Sequence, residues 1–372
     1  MRHFYLDIIF TLIALAVASW WGFSHGGITG LLTALSITAI LSVMEISLSF
    51  DNAVVNASVL KHWDAFWKMI FLTVGILIAV FGMRLIFPIV IVAVTADMGM
   101  MEVMQLALNN PDEYSAKLMA HHAEISAFGG MFLLLVFLNF LFDDKEVHWF
   151  DWLESRLAKF GQVDAMSVFV ALVILMSALS LVDDAHRGVV LIAGVWGILI
   201  YLGVQVVSGM LEGDLEEGLK EQEAEHDAVT YNPSAMTTST ATTTPAKEAG
   251  SAILRGGIIG FVYLEILDAS FSFDGVIGAF AITDDVVIIM LGLAIGAMFV
   301  RSMTIYLVDK GTLDEFVYLE HGAHYAIGAL AVIMLLSMKF HVPEIITGLI
   351  GITFIALSVW ASIRYRRREV RT

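Results

Sequence analysis

Apolar residues run continuously along this chain instead of alternating. Segments at about 5–23, 29–60, 67–95, 125–142, 165–182, 188–209, 253–281, 286–308, 322–340 and 343–363 are nearly all apolar, and a helix needs about 20 such residues to cross a ~30 Å hydrocarbon core. A membrane β-barrel would show period-two alternation, which is absent. The pattern predicts an all-α polytopic membrane protein with about ten transmembrane helices.

Charge interrupts two of those runs. Met44-Glu45-Ile46-Ser47-Leu48-Ser49-Phe50-Asp51-Asn52 lies in the second and Leu267-Asp268-Ala269-Ser270-Phe271-Ser272-Phe273-Asp274-Gly275 in the seventh. The two align position by position: Glu45 with Asp268, Ser47 with Ser270, Ser49 with Ser272, Phe50 with Phe273, Asp51 with Asp274. A carboxylate at bilayer depth costs about 3 kcal/mol even on insertion-based scales, so such acids face a protein interior or an aqueous site, with a partner. A duplicated acidic motif is the mark of transporters whose paired repeats meet near the midplane. The arginines repeat as well, because Gly75 and Arg84 match Gly292 and Arg301 at the same interval. A third pairing, Gly130 with Gly328, rests on glycine alone.

The matched motifs stand an odd number of spans apart, which predicts two inverted three-helix repeats. The chain then divides into a first transmembrane helix (1–28), repeat 1 with spans two to four (29–143) and an amphipathic segment with spans five and six (144–209). An acidic, Thr-rich linker (210–252), repeat 2 with spans seven to nine (253–340) and a last span with a basic tail (341–372) complete it. The linker carries nine acids against two lysines and a Thr-rich tract with no core-forming pattern, so it reads as a flexible connection. Segment 144–163, with Trp149, Trp152, Leu153 and Leu157 beside Asp151, Glu154 and Lys159, reads as an interfacial amphipathic helix. The run after Met1-Arg2-His3 lacks a cleavage site and reads as an uncleaved span. Arg364, Arg366, Arg367, Arg368 and Arg371 follow the last span, and such a cluster marks the cytoplasmic side. An even number of spans places both termini inside, in a bacterial-type inner (plasma) membrane. The acidic connection from Asp97 to Glu124 falls outside.

Composition narrows the chemistry. With 58% hydrophobic residues in 372 and a mean hydropathy of +0.82, the chain is too apolar for a soluble domain. The absence of cysteine excludes disulfides and thiolate metal sites. A net charge of −17 argues against nucleic acid as a partner.

On a continuous helix Glu45, Ser49 and Asn52 share one face, as do Asp268, Ser272 and Gly275, while Asp51 and Asp274 point about 120° away. They converge only if the helix breaks near Ser-Phe-Asp, as in discontinuous transporter helices. Glu265, one turn before Asp268, joins the same side. Glu45, Asp51, Glu265, Asp268 and Asp274, with oxygens from Ser49, Asn52 and Ser272, form an all-oxygen set suited to hard cations such as Mn²⁺, Ca²⁺ or Mg²⁺. Such a cluster in low dielectric is expected to hold protons that leave when metal enters. Arg84 and Arg301 either balance surplus carboxylate charge or snorkel to an interface. His121, His122 and Glu124, with His321 and His324, read either as transient ligands or as surface and packing residues.

Glu45-Ile46-Ser47-Leu48-Ser49-Phe50-Asp51-Asn52 followed by the Gly75…Arg84 helix resembles the TerC family of integral membrane proteins, in the group that includes LysE-type exporters. The resemblance covers spans two to four and seven to nine. It implies Mn²⁺ efflux and, by the family's name, tellurite resistance. It also implies that Glu45, Asp51 and Asn52, with Asp268 and Asp274, are metal-site residues. Gly275 departs from the pattern, standing where the first copy has Asn52, and the inserts at 96–124 and 210–252 mark a divergent branch.

The expected activity is export of a divalent cation, Mn²⁺ favoured and Ca²⁺ compatible, by proton antiport, with metal ion, protons and lipid bilayer as partners and no enzymatic reaction. The alternatives are a membrane scaffold that supplies metal to exported proteins and an intramembrane aspartyl protease. The protease reading lacks the Tyr-Asp and Gly-x-Gly-Asp contexts of that class, and no nucleophile-elbow serine is present.

Overall fold

The computed structural model describes residues 4–61, 63–95, 98–143, 145, 147–159, 165–206, 257–280, 282–311, 315–340 and 342–369. The acidic linker lies outside the described residues. All ten apolar segments are helical over most of their described residues. Thirteen helices are used below: α1 Tyr5–Leu48, α2 Phe50–Leu60, α3 Ala65–Ala93, α4 Met100–Asn109, α5 Pro111–Ala120, α6 His122–Phe142, α7 Asp151–Leu157, α8 Met166–Ala178, α9 Arg187–Val206, α10 Ile258–Phe280, α11 Val286–Asp309, α12 Leu319–Ser337 and α13 Glu344–Glu369. Among the described residues seven helices are long and apolar enough to cross a membrane, and shorter apolar helices accompany them. This is an all-α polytopic membrane protein.

The first two expected spans are the arms of α1. Gly26 and Gly27 leave helical geometry at its middle, and Gly27, at φ 59° and ψ −143°, occupies backbone space that only glycine enters freely. The arms fold back at close range: a Cβ on Gly22 would collide with the Gly30 carbonyl and lie 2.6 Å from the Ala34 Cβ. Both arms pack on α11. Ser302 donates to Asp7 Oδ1 (2.9 Å), and Trp21 donates to Asp285 (2.9 Å), the residue whose carboxylate also caps α11 through the amides of Val287 and Ile288.

The connection at 96–124 is not a plain loop. Pro111 starts α5 where its missing N–H is no loss. Val103, Ala107, Tyr114 and Leu118 are buried with Ala279 and Phe280 at the end of α10. Too polar to read as a span, the insert covers one end of the core. Within 144–163 helix forms over Asp151–Leu157, but Glu154 does not face solvent as the amphipathic reading required. It is fully buried, accepts from Tyr325 Oη (2.9 Å) and the Trp149 amide (3.2 Å), and lies 3.5 Å from His321 Nε2. Burial pushes its carboxyl up, but His321, Tyr325 and the Phe150 amide outweigh this and hold it down at about 2. His321 also bonds the Val147 carbonyl (2.9 Å), and His324 stacks on Phe140 at 3.9 Å. These two histidines pack α12 against neighbouring segments.

Matched residues meet reciprocally. A Cβ on Gly130 would lie 3.2 Å from Leu335, and one on Gly328 would lie 2.7 Å from Phe137. Since Gly130 matches Gly328, Phe137 matches Leu335, and each contact is the image of the other. The same holds for the acidic motifs, where Glu45 lies against Gly275 and Asn52 against Asp268. Such pairing requires the matched helices to run antiparallel about a pseudo-two-fold axis. Single cysteines at Lys61, after α2, and Ile282, after α10, in this cysteine-free chain should therefore react with an impermeant thiol reagent from opposite faces of sealed vesicles. Labelling of both from one face contradicts the antiparallel arrangement.

Candidate metal centre

The first motif is interrupted at Ser49. Its φ of −99° and ψ of 15° separate α1 from α2. The second motif carries no such break, and α10 runs through Asp268 and Gly275 as one helix. The expected interruption is thus present in one copy.

Each motif's leading acid meets the arginine of its own repeat. Glu45 Oε1 accepts from Arg84 and from Ser49 Oγ (3.2 Å), two partners buried with it. Asp268 Oδ2 accepts from Arg301 (3.2 Å), which also grips Glu265 through both guanidinium nitrogens (3.0 and 3.2 Å). The arginines are 6% and 2% exposed, so neither snorkels to an interface. Arg301 further donates to the Phe71 carbonyl (2.9 Å) and lies 4.1 Å over its ring. Gly75 makes this possible, because a Cβ there would lie 2.6 Å from Glu265 Oε1 and overlap Arg301 itself.

The motifs differ where the sequences differ. Asn52 Nδ2 donates to Asp268 Oδ1 at 2.6 Å, so both oxygens of Asp268 are engaged. At the position matching Asn52 stands Gly275, and a Cβ there would lie 2.7 Å from Glu45 Oε2. Glycine leaves that oxygen space. Both hydrogen bonds of Glu45 fall on Oε1. Beside Oε2 opens a cavity of about 20 Å³ lined by Glu45, Ser49, Asp51 and Gly275 with Phe271 and Thr347. That volume holds about one water-sized occupant. Asp51 reaches the same cavity although a continuous helix would turn it away. It accepts from the Asn52 amide (3.0 Å), and among the described residues no cationic side chain pairs with it.

The structure thus brings Glu45, Ser49 and Asp51 to one cavity, ties Glu265 and Asp268 to Arg301, and sets Asn52 on Asp268. Ser272 Oγ and Asn52 Oδ1 are buried without a hydrogen-bond partner. Asp274 lies on α10, with its side chain outside the described residues. Among the described residues no three His, Asp or Glu side chains stand close enough to hold a metal ion by themselves. Four acids against two guanidiniums leave a formal charge of −2 on the described groups, which one divalent cation would balance. Sequence reasoning missed Asp7, an acid near the start of the first apolar run. It is 1% exposed, with Oδ2 unpartnered. Its signal was available as a charge inside a span. His121 lies 3.6 Å from Glu124, and His122 lies 3.2 Å from Ser126 Oγ.

Fold and site together define a polytopic helical membrane protein with a buried acidic centre compensated by arginine. Residues 50–369 match the family model described as "Protein of unknown function (DUF475)", and the chain belongs to that family. No curated protein and no solved structure matches it.

Breaking a buried ion pair by removing one partner costs about 3–5 kcal/mol. Arg301→Met leaves Glu265 and Asp268 together without a cation and should lower the thermal stability of the detergent-solubilised chain by that order. An unchanged unfolding midpoint would show that Arg301 does not pin this half of the structure.

Proposed function

We propose that this chain is a membrane transporter that exports a divalent metal cation, Mn²⁺ favoured and Ca²⁺ compatible, in exchange for protons. The cavity beside Glu45 carries this reading. Two carboxylates and the hydroxyl-bearing Ser49 and Thr347 line a space for one small occupant, whereas Glu265 and Asp268 are already held by Arg301. Hard divalent cations take six or more oxygen ligands. Glu45, Ser49, Asp51 and Thr347 offer an incomplete set, which suits a cargo that must leave again. The resemblance to the TerC family supports Mn²⁺ over Ca²⁺, and the basic tail supports a cytoplasmic carboxyl terminus.

Protons and metal compete for the same oxygens, so apparent Mn²⁺ affinity should fall as pH falls. An inward proton gradient then drives export without a nucleotide-binding domain. The test is Mn²⁺ flux in proteoliposomes under an imposed pH gradient, with a pH-sensitive dye recording counter-movement. Wild-type flux should follow the gradient. Losing one charged ligand removes about 1.5–3 kcal/mol, so Glu45→Gln or Asp51→Asn should reduce flux about tenfold to a hundredfold. Wild-type rates in both variants contradict the shared site. Binding without flux favours the metal-handling scaffold, and flux indifferent to pH favours a uniporter.

A further inference from the structure

We propose that Arg84 is a tethered competitor for the cargo. It occupies Glu45 when the cavity is empty and yields the carboxylate when a divalent cation enters, whereas Arg301 stays in place throughout. The inference rests on the transport reading and assigns the two repeats different duties.

The two arginines hold matched positions but unequal sets of partners. Arg301 is fixed by Phe71, by both oxygens of Glu265 and by Asp268, with the Phe71 ring beneath it. Arg84 has one acid, Glu45, and one carbonyl, that of Ala79 in its own helix (2.6 Å). The difference is written in the chain. Glu265 lies three residues before Asp268, and the residue three before Glu45 is Ser42, whose hydroxyl is directed to the Thr38 carbonyl (2.7 Å). Repeat 1 therefore lacks the second acid that fixes the arginine of repeat 2.

Two further features let Arg84 leave. Glu45 bonds Arg84 through Oε1 while Oε2 lies over Gly275 beside the cavity. A cation can engage Oε2 and Asp51 before the guanidinium departs, so the carboxylate is never buried without a positive partner. Asp268 has no such second face, because Asn52 occupies its other oxygen. The backbone under Arg84 is π-helical over Ile78–Ile86, whereas α11 is α-helical through Arg301. Wide turns of this kind gather at functional sites and have an α-helical register close by. A small change of register would carry the Arg84 stem away from Glu45.

Competition and structural support predict opposite signs for one measurement. Calorimetric titration of MnCl₂ into the purified full-length chain should show Arg84→Gln binding Mn²⁺ at least about tenfold more tightly than wild type, within the usual range of coupling between sites, while its flux falls. Arg84→Lys, which keeps the charge, should fall between them. Equal or weaker binding by Arg84→Gln overturns the proposal and makes Arg84 a structural counter-charge. Hydrogen exchange on the unmodified chain is the second arm, independent of whether the variant folds. Saturating Mn²⁺ should raise exchange in 78–86 and leave 296–306 unchanged, and no rise in 78–86 overturns the proposal. A wild-type chain that binds no Mn²⁺ overturns the transport reading and this inference together. Wild-type binding with either failed arm overturns this inference alone.

Discussion

The helices at the centre of this fold answer to a shortage of positive charge around buried carboxylates. Glu45, Asp51, Glu265 and Asp268 are all at least nine-tenths buried, and two guanidiniums lie among them. Ionised groups in low dielectric need partners, so the helices that carry the acids must meet the helices that carry the arginines. That requirement accounts for the packing of α3 and α11 against the motif helices. It also accounts for glycine at 75, 275 and 296, where a side chain would meet Arg301 or Glu45. The compensation is incomplete, and Asp51 beside the cavity is where the deficit lies.

Duplication supplies the symmetry and point differences break it. Antiparallel crossing puts Glu45 opposite Gly275 and Asp268 opposite Asn52, so exchanging one Asn for Gly acts on the acid of the other repeat. Glu265 against Ser42 acts within one repeat and decides how firmly its arginine is held. Together they turn two equal half-sites into a closed, hydrogen-bonded one and an open one. The inequality of the two halves is thus fixed in the sequence.

The helices were legible because continuous apolar runs have one solution in a bilayer. The break between the runs ending at 23 and starting at 29 and the partnership of the motifs were legible because gaps in apolar runs and repeated acids are local signals. Other features depend on what lies across the interface. Gly275 reads as a lost ligand until the antiparallel crossing places Glu45 over it. Glu154 reads as solvent-facing until Tyr325 and His321 of α12 are seen to surround it. The 96–124 insert reads as a loop because, among its described residues, the buried apolar side chains of the core are only Val103, Ala107, Tyr114 and Leu118. The interruption at Ser49 has no counterpart in α10 although the serines match, so the break follows from packing and not from the motif itself.

Anomalous diffraction from crystals soaked in MnCl₂ tests directly the proposal that a divalent cation occupies the open half-site beside Glu45. One Mn²⁺ peak is expected in the cavity, against Glu45 Oε2 and Asp51, with Arg301 still on Glu265 and Asp268. A peak confined to the Glu265 and Asp268 pair, or an unfilled cavity in a chain that transports Mn²⁺, would contradict it.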